Sequence, residues 1–119
     1  MVEFLNCAMH VVIYACYIKK WNGEDSTQPS IDEQIQSCCE FAERNNYYVE
    51  RVYIEETYNN SYRGRPIYYQ MLGERIDTRF QGILIYSSDR INKNSFQFMF
   101  NEVNLKEWGI SVFTTKNNK

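Results

Sequence analysis

Apolar runs of strand length alternate along the chain with amphipathic stretches of helical period. Residues 11–18 form a mostly apolar run rich in β-branched and aromatic side chains, the pattern of a strand buried on both faces. Residues 19–29, with Asn22, Gly23, Asp25, Ser26 and Pro29, predict a polar loop of a length that often carries function. Ser30, Ile31, Asp32 and Glu33 make a capping box, in which the Ser30 hydroxyl accepts from the Glu33 amide while the Glu33 side chain returns to the Ser30 amide. A helix starts there with Ile31, Ile35, Cys38 and Ala42 on one face. Asn45-Asn46 stops it before a second strand at residues 48–54.

Polar residues 55–64 lead to Arg65-Pro66, where proline at the first helical position predicts a second helix carrying Ile67, Met71, Leu72 and Ile76 inward. Residues 82–86 read as a third strand. A third helix opens at Asn94 or Ser95, with Phe96, Met99, Phe100 and Val103 apolar, and residues 110–113 read as a fourth strand. Strict alternation predicts an α/β fold of three layers: a parallel, flavodoxin-like sheet with right-handed crossovers and helices on both faces. Such sheets place their chemistry at the carboxyl ends of strands, which directs attention to residues 16–25, 55–65 and 87–94. The domain spans residues 11–115, with a lead at 1–10 and a tail at 116–119.

Composition narrows the function. The 119 residues are 44% hydrophobic and 24% charged with only five Gly and two Pro, so one packed domain is expected rather than a disordered chain. Cys7, Cys16, Cys38 and Cys39 form neither a CxxC pair nor a Cys/His cluster, so no metal site and no cofactor is expected. No secretory leader and no apolar run of membrane-spanning length is seen, which predicts reduced thiols and a cytoplasmic protein without membrane contact. His10 is expected at the surface or at an edge, ahead of the first strand. A net charge of -2 excludes a strongly basic nucleic-acid module, so any affinity for DNA must come from a local patch or a separate domain. The tyrosines Tyr47, Tyr48, Tyr53, Tyr58, Tyr62, Tyr68 and Tyr69 fit core and interface packing better than base stacking in such an acidic chain.

Three blocks carry a resemblance. Ile13-Tyr14-Ala15-Cys16-Tyr17-Ile18, a loop, and then Ser30-Ile31-Asp32-Glu33-Gln34 resemble the opening of the serine recombinases of the resolvase and invertase family. There, a strand ending in Tyr-Ala-Arg-Val-Ser precedes a loop and a Ser-Ile-x-x-Gln helix start. Glu55-Glu56-Thr57-Tyr58-Asn59-Asn60 followed by Arg65-Pro66 is similar to that family's Asp-x-Gly-x-Ser-Gly and trailing Arg-Pro. Tyr86-Ser87-Ser88-Asp89-Arg90-Ile91-Asn92-Lys93 resembles its Asp-Arg-Leu-x-Arg. The order and spacing of the three extend the resemblance over residues 11–115, and it is nearest to the N-terminal catalytic domains of the large serine recombinases.

The resemblance implies site-specific DNA recombination or DNA integration, as in mobile elements, in the bacterial cytoplasm and on the nucleoid when DNA is bound. In that chemistry a serine hydroxyl attacks a DNA phosphodiester, becomes joined to the 5′ phosphate and releases a 3′ hydroxyl, while arginines stabilise the gathering negative charge. Gln34, Arg65, Asp89 and Arg90 fall on matching site positions, and Tyr14 on the strand tyrosine. Ile18 stands where the nucleophilic serine belongs and Cys16 where the first arginine belongs. Lys93 replaces the last arginine and lacks its bidentate fork, Glu55 replaces the aspartate and Asn59 the serine of the second block.

The expectation is therefore a recombinase domain that keeps its fold and part of its phosphate site but is catalytically inactive, a pseudoenzyme. One alternative retains activity through another nucleophile, such as Cys16, Ser61, Ser87 or Ser88, or through a partner protomer. Cys16 shares the face of Ile18, although a buried inert thiol accounts for it more simply. A second alternative is a non-enzymatic, flavodoxin-like protein-interaction module. Members of the family continue past the last strand into a helix used for dimerisation and DNA contact. The sequence here ends at Lys119, either as an excised domain or as a short product, so weak DNA binding in isolation is expected, with self-association or pairing with another recombinase subunit.

Overall fold

In the computed structural model, residues 8–19, 28–57, 65–91 and 104–116 are described. The elements run β1 (Met9–Ile18), α1 (Ile31–Arg44), β2 (Tyr47–Thr57), α2 (Pro66–Gly73), α3 (Arg75–Thr78), β3 (Gly82–Ile85), a 3-10 turn (Ser88–Arg90) and β4 (Ser111–Thr114). Residues 104–107 are also helical, just ahead of β4. The opening of the predicted third helix, at residues 94–103, lies outside the described residues. All strand pairings are parallel, and the order is β2-β1-β3-β4. This is the α/β architecture that the alternation predicts, with the crossover direction reversing between β1 and β3.

Burial explains the layers. β1 holds the run Val11 to Cys16 with no exposed surface, and each such aliphatic or aromatic side chain contributes about 1.5–3 kcal/mol. Its even-numbered residues, Val12, Tyr14 and Cys16, pack with Tyr53, Tyr68, Met71, Ile83 and Ile85 beneath α2. Its odd-numbered residues, Val11 and Ile13, pack with Cys38, Phe41, Ala42 and Leu84 beneath α1. Helices thus cover both faces of one sheet.

A bulge in β2 decides what the second strand presents. Val11 pairs with Val49 but Val12 pairs with Arg51, so Glu50 is the extra residue. One extra residue flips every side chain beyond it to the opposite face. Tyr47 and Val49 accordingly pack on the α1 side, whereas Tyr53 joins the α2 side, and Glu55 and Thr57 continue its alternation. Glu55 comes to lie opposite Cys16 and is 2% exposed.

The structure departs from the sequence expectations in several places. β2 continues through Thr57 rather than ending at Ile54, because Tyr53, Glu55 and Thr57 keep an inward alternation that their polarity disguises. Helix α1 buries Gln34, Cys38, Phe41 and Ala42, with Ile31 and Ile35 only half-buried. Ser30 caps it, its hydroxyl accepting from the Glu33 amide at 3.1 Å. The Glu33 carboxylate accepts instead from the Tyr86 hydroxyl at 3.3 Å. Helix α2 stops at Gly73, and Ile76, expected inward, is 69% exposed on the short α3. His10 lies inside β1, with Nδ1 2.9 Å from Glu50. Among the described tyrosines, Tyr53 and Tyr68 are core residues, and Tyr47 packs against Phe41 and Phe113. Tyr58 and Tyr62 lie outside the described residues.

Candidate functional site

The carboxyl end of β1 projects past the last residue paired with β3, Ile13. A strand edge left bare there would expose unpaired amides and carbonyls. Two glutamine side chains cover it. Cys16 donates its amide to Gln34 Oε1 at 3.0 Å, and Gln34 Nε2 returns to the Cys16 carbonyl at 2.8 Å and to Pro29 O at 3.1 Å. One register step on, Ile18 donates its amide to Gln28 Oε1 at 3.1 Å, and Gln28 Nε2 returns to the Ile18 carbonyl at 2.7 Å. Each amide pairs with both backbone groups of one residue, as a neighbouring strand would.

Arg90 closes this edge from the 3-10 turn after β3. It is 4% exposed. Its Nε donates to Asp89 Oδ1 at 3.0 Å and its Nη2 to Asp89 Oδ2 at 3.2 Å. Its Nη1 donates to the Cys16 carbonyl at 3.0 Å and to Gln28 Oε1 at 2.8 Å. Ser87 donates its hydroxyl to Asp89 Oδ1, fixing the carboxylate that aligns the guanidinium. Arg65, at the N-cap of α2, is fully buried and donates through Nη1 to the Arg90 carbonyl. It is therefore no exposed arginine at a helix start but a tie between α2 and the turn that carries Arg90.

On the α2 side of the sheet, Glu55 accepts from three donors: the Tyr14 hydroxyl at 2.8 Å, the Ile67 amide at 3.0 Å and the Tyr68 amide at 2.9 Å. A carboxylate reaching across from β2 thus caps the N-terminus of α2, where orphan amides and the helix dipole favour an anion. Burial above all pushes the Tyr14 hydroxyl well above its ordinary value, so it remains a neutral donor. Burial likewise pushes the Cys16 thiol up, and the guanidinium charges of Arg65 and Arg90 only partly offset it. Cys38 is pushed up to about 11, again mainly by burial.

Of the residues singled out from the sequence, Cys16, Ile18, Gln34, Glu55, Arg65, Asp89 and Arg90 gather at this one end of the sheet. The Ile18 side chain is half-buried and packs against the cluster that contains Cys16. Asn59, Ser61 and Lys93 lie outside the described residues. Gln28 was not singled out, because a glutamine in a polar loop carries no signal of its own until the loop is folded back onto β1.

A raised pKa means a smaller thiolate fraction, and the thiolate is the reactive form. Treatment of the native protein at pH 7 with a thiol reagent is expected to modify the exposed Cys39 while sparing the buried Cys16 and Cys38 until denaturant is added. Rapid native-state modification of Cys16, read by mass spectrometry, would contradict this.

Comparison with known proteins follows the same lines. A family model described as "Resolvase, N terminal domain" matches residues 23–119. The chain belongs to the resolvase N-terminal domain family. Solved structures agree on the fold. The N-terminal catalytic domain of TP901-1 integrase superposes with a TM-score of 0.75 at 21% identity, covering 89% of this chain and 76% of that one. The C-terminal catalytic domain of ISC1926 TnpA, an IS607-like serine recombinase, gives 0.72 at 19% identity, covering 92% and 71%. A resolvase family site-specific recombinase from Streptococcus pneumoniae gives 0.71 at 14% identity, covering 93% and 74%. No curated protein matches the sequence. Among the described residues of this resolvase-type domain, no helix is long and apolar enough to cross a membrane.

Proposed function

We propose that this resolvase-family domain serves site-specific DNA recombination without cleaving DNA itself, as a non-catalytic subunit or assembly partner. The observation that carries the proposal is Ile18, a hydrocarbon side chain at the carboxyl end of β1 whose amide shares Gln28 Oε1 with the buried Arg90. An isoleucine has no atom that can attack phosphorus. The same edge holds a guanidinium suited to phosphate oxygens. The motif resemblance to the serine recombinases implies a serine where Ile18 stands and an arginine where Cys16 stands.

Cys16 does not substitute as nucleophile in this reading, since its thiol is fully buried and held protonated. Relatives named as recombinases and integrases support DNA as the partner, and a family whose members work in assemblies supports self-association or pairing with an active subunit.

Reconstruction tests the proposal. Ile18→Ser combined with Cys16→Arg is expected to gain covalent attachment to duplex DNA, seen as a protein-DNA species that survives denaturation. Cys16→Arg inserts a third guanidinium beside two buried ones, so Cys16→Arg alone is the control for lost stability. A folded, DNA-bound double variant that forms no adduct would count against a retained site.

A further inference from the structure

Two donors converge on one oxygen at the carboxyl end of β1. The Ile18 amide lies 3.1 Å from Gln28 Oε1, and Arg90 Nη1 lies 2.8 Å from the same atom. A backbone N–H and a guanidinium N–H aimed at a single point form a small anion-oxygen seat, with the geometry by which developing negative charge is stabilised. Here a neutral amide oxygen belonging to the chain fills it. Asp89 and the Cys16 carbonyl take three further guanidinium hydrogens of Arg90. Among the described residues, that leaves one of the fork's five N–H groups for any other oxygen.

Resting on the reading of a retained phosphate site, we infer that Gln28 is an internal stand-in for a phosphate oxygen and holds the site closed. Binding of a phosphate oxygen between Ile18 N and Arg90 Nη1 requires the Gln28 side chain to leave. Its departure releases both backbone groups of Ile18, so occupation of the seat and the pairing at the tip of β1 exclude each other. Gln28 therefore lowers the apparent affinity for phosphate oxygens by the fraction of molecules in which its amide is seated. A residue with an ordinary loop role would have no such effect.

The test is a titration of the whole chain with inorganic phosphate, and separately with a short DNA duplex, following the Ile18 amide and the Arg90 Nε–H by NMR. Gln28→Ala is expected to raise phosphate affinity about tenfold, as removal of a charge-assisted competitor allows. Gln28→Glu is expected to abolish the response by placing a permanent carboxylate in the seat. A response to the duplex and not to free phosphate would assign the seat to a phosphodiester within DNA; the reverse would assign it to a free anion.

Unchanged or weakened binding of both phosphate and duplex in a folded Gln28→Ala protein would overturn the inference, as would a Gln28→Glu protein that binds either like the wild type. Should Gln28→Ala fail to fold, Gln28→Met keeps the side-chain volume without the amide and is read in the same way. Covalent DNA attachment by the wild type would sink the proposed loss of cleavage while leaving this titration to judge Gln28 separately.

Discussion

Replacing Glu55 with alanine is expected to cost about 3–5 kcal/mol of folding stability, the largest loss of any single change at this end of the sheet. The carboxylate is almost wholly buried and accepts from the Tyr14 hydroxyl and the Ile67 and Tyr68 amides. Removing it strands all three donors in a low-dielectric interior and uncaps α2 as well. For a domain of this size the change corresponds to a fall in Tm of about 4 °C per kcal/mol. Glu55→Gln should lose about half as much, because the amide keeps the volume and one acceptor but turns its NH2 group toward donors. Chemical denaturation of the two variants measures the difference, and a loss under about 1 kcal/mol for Glu55→Ala would mean that the cap is dispensable.

The second large effect is expected at Gln34, where alanine should cost about 2–4 kcal/mol. Gln34 has no exposed surface, and its amide pairs with both backbone groups of Cys16 and with the Pro29 carbonyl. A global measurement would register only the loss, so the diagnostic readout is local. Hydrogen exchange at the Cys16 amide should accelerate far more than at Val12, which stays inside the β1·β3 pairing. Gln34→Glu separates the two roles of the amide, since a carboxylate can accept from the Cys16 amide but cannot donate to either carbonyl. Equal acceleration at both amides would mean that Gln34 stabilises the domain generally rather than pinning the tip of β1.

Periodicity reached the fold because β1, α1 and α2 are patterned strongly by burial: an apolar run for a central strand, and helices carrying one apolar stripe each. It placed the β1 tip, the Glu55 region and the Asp89-Arg90 turn at the carboxyl ends of strands, where the structure brings them together. It missed what depends on pairing rather than pattern. The bulge at Glu50 is a register event with no residue signature of its own, and it turns Glu55 to the α2 face rather than the α1 face. Polarity then made residues 55–57 resemble a loop, although the α2 amides of Ile67 and Tyr68 satisfy the buried Glu55 carboxylate. Gln34 matched a motif, but its work as a substitute strand follows only from β3 stopping short of Cys16. Gln28 needed the same knowledge. Ile76 failed for a different reason: α2 ends at Gly73, so the helical phase that would have turned Ile76 inward is broken before it.

Covalent attachment of the unaltered protein to DNA tests the central claim most directly. The chain is incubated with a pool of duplexes of randomised sequence, quenched in denaturant and resolved under conditions that keep only covalent protein-DNA species together. On the proposal that Ile18 stands at the nucleophile's place, and with the Cys16 thiol buried and its pKa raised, no such species is expected above background. A denaturation-resistant adduct that maps to any serine or cysteine of this chain would contradict the account.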